Sequence, residues 1–83
     1  MKQVEYIATF YTHLGAVKYH RHLHAKGVSA ETLPVPRRYS SNCGIGVKFS
    51  TADDIRAWIS DDIEKIFLLR DGEDKLIYHS GND

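Results

Sequence analysis

The stretch VEYIATFYTHLGAVKYHRHLHAKG, from Val4 to Gly27, joins two segments with different hydrophobic patterns. Its first part, up to Tyr11, is rich in the β-branched and aromatic residues typical of a strand. Thr12 is a good helix N-cap, and Gly27 supplies the left-handed conformation at which helices often end. The stretch therefore predicts a strand that leads directly into a helix.

Apolar residues recur at three-to-four spacing within the predicted helix, as expected for one face packed on a sheet. The stripe consists of Ala16, Val17, His20 and Leu23, with Tyr19 beside it. His20 is therefore predicted to lie within the packed face of the helix.

The segment after Gly27 predicts two further strands separated by a long polar loop. Val28 to Val35 forms the first and contains Pro34, which places it at a sheet edge because proline cannot donate a ladder hydrogen bond. Apolar residues then alternate from Ile45 to Phe49, as in a half-buried strand.

The C-terminal third predicts a second helix and a hairpin. Ser50 or Thr51 would cap the helix, and its core-facing residues would include Ile55, Trp58 and Ile59. A strand from Ile63 to Leu69, a turn at Asp71-Gly72 and a short strand from Leu76 to Tyr78 would follow.

The order of these elements predicts the fold class. Strand, helix, strand, strand, helix and strand, joined by right-handed crossovers, favour an α+β fold, the ferredoxin-like two-layer sandwich (βαββαβ), here with an extra short C-terminal strand. Residues 1–83 are expected to form one domain, because this length supports one core.

The composition excludes several classes of function. There are 11 Lys and Arg residues and 11 Asp and Glu residues, so we expect no general binding to nucleic acid. The longest apolar runs are too short to span a membrane, and the N-terminus MKQVEYIATFY lacks the apolar core of a signal peptide. We therefore expect a cytoplasmic protein without a membrane partner. The one cysteine, Cys43, would carry a free thiol there.

Cys43 lies in the polar loop from Arg37 to Gly44, within the stretch PVPRRYSSNCGIGVKF from Pro34 to Phe49. In the predicted topology this loop emerges at the end of the sheet where the first helix begins, so Cys43 would face Thr12 and His13. A helix N-terminus favours an anion, and Arg37 and Arg38 leave the second strand at the same end. These features predict a reactive thiolate.

The required shift of the thiol pKa shows how much these groups must contribute. A cysteine with the reference pKa of about 8.5 is only about 3% ionised at pH 7. Lowering the pKa to about 6.5 takes roughly 2.7 kcal/mol, whereas a surface helix dipole supplies about 0.3 to 1 kcal/mol. An arginine or direct amide hydrogen bonds would supply the rest. The local sequence equally allows Cys43 to be a small buried hydrophobe, and one of the two arginines to be a solvated edge charge.

The start YIATFYTHLGAVKYHRHLHAKGV and the later PVPRRYSSNCGIGVKF resemble the small bacterial domain family described as selenium/sulfur carrier protein-like. The similarity extends over about Tyr6 to Phe49, and its most specific part is the Pro-Val-Pro-Arg, two-serine, X-Cys-Gly pattern at Pro34 to Gly44. The resemblance implies that Cys43 holds sulfur or selenium as a persulfide or perselenide. The protein would then be a stoichiometric carrier rather than a turnover enzyme, without a cofactor.

This resemblance gives the neighbouring residues expected roles. Arg37 and Arg38 would stabilise the anionic sulfur, and Asn42 and the amide of Gly44 would donate hydrogen bonds to it. Ser41 belongs to the same turn, which also resembles a small anion-binding nest. The partners would be a donor protein such as a cysteine desulfurase and an acceptor protein. The alternative function is a redox-sensing or regulatory protein-binding module that uses the same cysteine.

Two further features remain open in the sequence. His20 and His24 have the spacing of two metal ligands on a helix. A metal-binding module that uses them with Cys43 is therefore a third class of function. A structural role of the two histidines is favoured, and no metal site is predicted.

Apolar residues on both sides of the first strand leave one sheet face without a helix to cover it. That face predicts a homodimer.

Overall fold

The structure, a computed structural model, describes residues 3–39 and 44–81. These residues form five β-strands, one α-helix and one 3₁₀ helix. The elements are β1 (Val4–Phe10), α1 (His13–Ala25), β2 (Ser29–Pro34), β3 (Ile45–Thr51), the 3₁₀ helix (Ile55–Trp58), β4 (Ile63–Arg70) and β5 (Glu73–His79).

The strands form one sheet in the order β2-β3-β1-β4-β5, with every neighbouring pair antiparallel. β1 is central, and its Ala8 lies opposite Val47 of β3 and Ile66 of β4. β2 is an edge strand and ends at Pro34, as the proline predicts.

The first strand and helix agree with the sequence prediction. Thr12 is the N-cap of α1, and its hydroxyl oxygen accepts a hydrogen bond of 3.0 Å from the amide of Gly15. Gly27 follows the helix with a φ of 79°, which a residue with a side chain rarely adopts. The chain therefore turns from β1 into α1 within two residues.

The core lies between α1 and one face of the sheet. Ala16, Tyr19 and Leu23 of the helix are buried against it. The ring of Tyr19 lies 5.4 Å from that of Phe10 and 5.9 Å from that of Phe49. The predicted packed face of α1 is thus correct except at Val17 and His20, which are half-buried at its margin.

The predicted second helix is wrong: one 3₁₀ turn occupies its place. Thr51 still belongs to β3, and Asp54 caps the turn by accepting a 3.0 Å hydrogen bond from the amide of Arg56. Such a side-chain bond competes with helical hydrogen bonding, and β4 begins at Ile63, so few residues remain for a helix. Ile55, Trp58 and Ile59 nevertheless pack on the core as predicted.

The C-terminal hairpin is longer than predicted. Asp71 and Gly72 have φ values of 53° and 77°, the positive values that a tight two-residue hairpin turn requires. β5 then runs the full length from Glu73 to His79 beside β4. The extra C-terminal strand therefore exists and forms the second edge of the sheet.

The structure confirms the α+β class but not the complete ferredoxin-like sandwich. Its described residues contain one α-helix where two were predicted, against a sheet of five strands. The sheet face opposite α1, called the outer face below, carries Ile7 and Phe67, which pair between β1 and β4.

Among the described residues, none of the helices has the length and apolar character that a membrane-spanning helix needs.

Candidate functional site

The predicted reactive residue lies outside the described residues. Ser41, Asn42 and Cys43 fall between the two described ranges, and the chain is described again from Gly44. The amide of Val35 donates a 2.9 Å hydrogen bond to the carbonyl of Gly44, which extends the pairing of β2 and β3 beyond Pro34 and Ile45. The residue that follows Cys43 is therefore held in place by the backbone.

Gly44 lines the same pocket as His13, the first residue of α1. The pocket has a volume of about 430 Å³. Its described lining consists of His13, Thr32, Leu33, Pro34, Gly44 and Ile45. The pocket thus combines one imidazole with a mainly apolar wall supplied by the ends of β2 and β3, beside the residue next to Cys43.

The start of α1 has an anionic neighbour, Asp62. Asp62 lies against Gly15, because a Cβ added to that glycine would come within 2.8 Å of the Asp62 Cβ. The carboxylate of Asp62 is 3.4 Å from Nζ of Lys18. An anion in the pocket of His13 would share the positive end of the helix dipole with this carboxylate, which Lys18 partly neutralises.

The two predicted arginines differ in their surroundings. Arg37 is exposed. The guanidinium of Arg38 instead lies against Tyr39 and Asp74: its Nη2 is 3.1 Å from the Tyr39 hydroxyl and 3.7 Å from Oδ2 of Asp74. Because Tyr39 packs on Phe67, Arg38 lies over the outer face. It is not among the described residues that line the pocket of His13 and Gly44.

Thr12 and His20 have structural partners. The Thr12 hydroxyl is occupied by the amide of Gly15. Nε2 of His20 lies 3.2 Å from the carbonyl oxygen of Ala30, so a metal bound through that nitrogen would have to displace a backbone hydrogen bond. His24 is exposed. Among the residues that the structure describes, no three His, Cys, Asp or Glu side chains gather as metal ligands.

The sequence did not indicate the cluster of Tyr39, Phe67 and Asp74. Tyr39 is buried, its ring lies 4.9 Å from that of Phe67, and its hydroxyl donates a hydrogen bond to Asp74. Asp74 stands 35 residues further along the chain. No local pattern reports such a contact, because the periodicity of a segment shows only which of its residues share a face.

A family model described as "Putative Se/S carrier protein-like" matches residues 5–65, a range that contains Cys43 and every lining residue of the His13 pocket. The chain belongs to this family. The description of the Se/S carrier-like family suggests carriage of selenium or sulfur and, with it, contact with partner proteins. No curated protein and no solved structure matches the chain.

Proposed function

We propose that this protein carries sulfur or selenium on Cys43 as a persulfide or perselenide and passes it from a donor protein to an acceptor protein. It acts as a stoichiometric carrier, because each molecule holds one atom on one thiol. Membership of the Se/S carrier-like family supports the class of function. The observation that carries the proposal for this chain is the pocket shared by His13 and Gly44.

The transfer needs no external oxidant. The Cys43 thiolate attacks the terminal sulfur of a persulfide on the donor, and a new S–S bond forms at Cys43. The donor's own S–S bond breaks, and its cysteine sulfur leaves as a thiolate with the bonding electron pair. The proton remains on the transferred sulfur. A donor perselenide reacts in the same way through its terminal selenium.

A single cysteine suits the storage of such a group. A second thiol in the same chain would attack the persulfide and discharge it as a disulfide. The sequence contains no other cysteine, so the persulfide can persist until an acceptor thiol arrives. The same feature excludes release through an internal disulfide.

The neighbouring residues have proposed roles in holding the anion. His13 hydrogen-bonds the Cys43 sulfur, supported by its place in the pocket beside Gly44. Thr12 fixes the start of α1, whose dipole favours the anion. Ser41, Asn42 and the amide of Gly44 donate hydrogen bonds, and Arg37 adds positive charge. Arg38 has a smaller part, because Asp74 already lies 3.7 Å from its guanidinium.

The apolar wall of the pocket supports a protein rather than a free anion as the source of the sulfur. The wall beside His13 consists largely of carbon surface from Leu33, Pro34 and Ile45. A free sulfide or selenite ion would gain no solvation from such a surface. A partner that inserts an apolar side chain there removes this surface from water while it presents its persulfide.

The direct test is transfer from a cysteine desulfurase. The protein is incubated with the desulfurase and cysteine, or with selenocysteine in a parallel sample, and its intact mass is measured. We expect an increase equal to one sulfur or one selenium atom, reversed by a reducing thiol. Cys43→Ser should gain nothing, and His13→Ala should gain the atom more slowly.

Two results would overturn the carrier role. One is an unchanged mass under conditions where the desulfurase itself holds a persulfide. The other is equal gain by Cys43→Ser, which would place the sulfur elsewhere. A redox sensor would instead gain oxygen or a mixed disulfide after treatment with peroxide and take no sulfur from the desulfurase.

A further inference from the structure

The hydrogen bonds between β2 and β3 show which backbone groups of β2 point away from the sheet. The amide of Val35 donates to the carbonyl of Gly44 at 2.9 Å, so these two residues form a hydrogen-bonded pair. Such pairs alternate with non-hydrogen-bonded pairs along an antiparallel ladder. In the observed register, the non-hydrogen-bonded positions of β2 are Ala30, Thr32 and Pro34. Their backbone groups therefore point to the open edge of the sheet.

A contact from α1 agrees with this assignment. Nε2 of His20 lies 3.2 Å from the carbonyl oxygen of Ala30, which is accessible to the helix because it points away from β3. The open edge then keeps four backbone groups that bond to none of the described residues. They are the N–H groups of Ala30 and Thr32 and the carbonyl groups of Thr32 and Pro34.

These four groups form an interrupted pattern. An open strand edge is a template for another strand, which pairs through the exposed N–H and C=O groups. Here the carbonyl of Ala30 is already occupied by His20, and Pro34 has no N–H to offer. Thr32 is the one residue between them with both groups open. A strand that pairs with this edge must therefore match two missing bonds as well as four open groups.

A second copy of β2, related by a two-fold axis beside Thr32, matches this pattern. Thr32 of each copy would lie opposite Thr32 of the other and exchange two hydrogen bonds with it. Ala30 of each copy would lie opposite Pro34 of the other, so that the N–H of Ala30 donates to the carbonyl of Pro34. The occupied carbonyl of Ala30 would face the proline nitrogen, which carries no proton. Four hydrogen bonds would then use every open group.

The neighbouring registers leave open groups unpaired. An axis beside Glu31 would place Thr32 opposite Ala30, and the N–H of Thr32 would meet the carbonyl that His20 occupies. An axis beside Leu33 would place Thr32 opposite Pro34, and the carbonyl of Thr32 would meet no donor. In the Thr32 register, Glu31 lies opposite Leu33, so no like charges oppose each other.

We infer that the edge of β2 is the contact surface for a second copy of this chain, which pairs antiparallel with it about Thr32. The contact joins two five-stranded sheets into one and is closed by its two-fold symmetry. It uses the edge of the sheet rather than the outer face, and it does not depend on the carrier role. Pro34 also lines the pocket of His13, so Ala30 of the second copy lies beside the wall of that pocket.

The test compares the mass of the protein in solution with that of a variant that lacks one open donor. Light scattering is measured over a dilution series from about 1 mM to about 10 µM, because a six-residue edge forms a small interface that dissociates on dilution. A reducing thiol prevents disulfides between chains. We expect the mass to rise from one chain to two with concentration. Thr32→Pro should keep the mass of one chain throughout, because the N–H that bonds the second copy is gone.

Thr32→Pro is compatible with the sheet of a single chain. The N–H of Thr32 takes no part in the pairing with β3, and proline is tolerated at such positions of edge strands. Thr32→Val is the matched control, since it changes the side chain but keeps the N–H, and it should dimerise like the parent protein. Circular dichroism establishes that both variants are folded.

Hydrogen exchange gives a second measurement that needs no variant. In dilute solution the amides of Ala30 and Thr32 should exchange faster than those of Glu31 and Leu33, which donate to β3. When about nine-tenths of the chains are paired, exchange at Ala30 and Thr32 should slow by about tenfold, and exchange at Glu31 and Leu33 should stay the same. If Thr32→Pro does not fold, this measurement decides the question alone.

Three results would overturn the inference. One is the mass of a single chain at about 1 mM. Another is a dimer that persists in folded Thr32→Pro, which would place the contact on another surface such as the outer face. The third is slow exchange at Ala30 and Thr32 that does not change with concentration, because these amides would then be bonded within one chain.

Discussion

The two faces of the sheet are built in different ways. Under α1, rings and aliphatic side chains from the helix and three strands form one buried cluster around Phe49 and Tyr19. On the outer face, Ile7 and Phe67 are covered without a helix, and Tyr39 from a loop packs on Phe67. The helix α1 covers the first face, whereas on the outer face the ring of Tyr39, from a turn, packs on Phe67.

The difference predicts that substitutions on the two faces have unequal effects on stability. A helix that buries a whole stripe of side chains contributes to stability through the area it removes from water. One tyrosine covers far less area than the helix does, so its ring contributes less to stability. We therefore expect substitutions under α1 to lower the free energy of unfolding more than substitutions of Tyr39 or Phe67 on the outer face.

The largest expected effect is the loss of a core ring under α1. Phe49 is 1% exposed and contacts the rings of Tyr6, Tyr19 and Trp58. Phe49→Ala should lower the free energy of unfolding by about 3–5 kcal/mol, measured by urea denaturation. Phe67→Ala, on the outer face, should cost at least about 1 kcal/mol less because solvent can enter the space it leaves. Equal losses of unfolding free energy in Phe49→Ala and Phe67→Ala would contradict the contrast between the two faces.

A smaller loss is expected where Val35 crosses Gly46. Gly46→Ala places a methyl group 2.9 Å from a backbone oxygen and from Val35, and such overpacking costs about 1–3 kcal/mol. Gly44→Ala is the control, since a Cβ there would meet none of the described atoms within 4 Å. Urea denaturation of both variants should show a loss for Gly46→Ala that Gly44→Ala lacks. A tolerated Gly46→Ala would mean that Val35 is not held as described.

The next effect concerns the Tyr39 hydroxyl and alkaline pH. Its hydrogen bond to Asp74 raises the pKa of Tyr39 above the ordinary value of about 10. The resulting stability is complete below pH 10 and is lost as pH rises through the higher pKa of the folded state. Tyr39→Phe should cost about 1 kcal/mol at neutral pH.

Urea denaturation at a series of pH values measures this effect. Above pH 10 the difference between the parent protein and Tyr39→Phe should shrink. Tyr78→Phe, which changes a half-buried tyrosine of β5, serves as the control. Burial also raises the pKa of Tyr19. The parent protein and Tyr39→Phe should therefore both still lose some stability at alkaline pH. A difference that stays constant with pH would contradict the assigned hydrogen bond.

The smallest effect is expected at the exposed cap of the 3₁₀ helix. Hydrogen bonds from Arg56 lower the pKa of Asp54 to about 2. The carboxylate thus contributes stability above the unfolded pKa of 3.8, and this contribution is lost as pH falls towards 2. NMR titration should show the low midpoint, and Arg56→Ala should return it towards 3.8. An unchanged midpoint in Arg56→Ala would contradict this cause.

Local patterns predicted most of the fold. The cap at Thr12, the stop at Gly27 and the turn at Asp71-Gly72 act through neighbouring residues, so the sequence shows them directly. The second helix failed because the side chain of Asp54 bonds the amide two residues ahead and favours a tighter turn. Spacing of the apolar residues alone does not reveal that competition.

The candidate site was predictable only in part. The direction of successive elements predicts the Cys43 loop at the start of α1, and this stays a prediction because Cys43 lies outside the described residues. Gly44, the next residue, shares a pocket with His13. The position of Arg38 depends on Asp74, and that of Tyr39 on Phe67, both distant in the chain. The homodimer stays a prediction, on a face where Tyr39 already covers Phe67.

The most direct test of the carrier account is the rate at which iodoacetamide alkylates Cys43 as a function of pH. We expect an apparent pKa below the ordinary value of about 8.5, and a shift towards that value in His13→Ala. A pKa at or above about 8.5 in the parent protein would contradict an activated thiolate beside the start of α1.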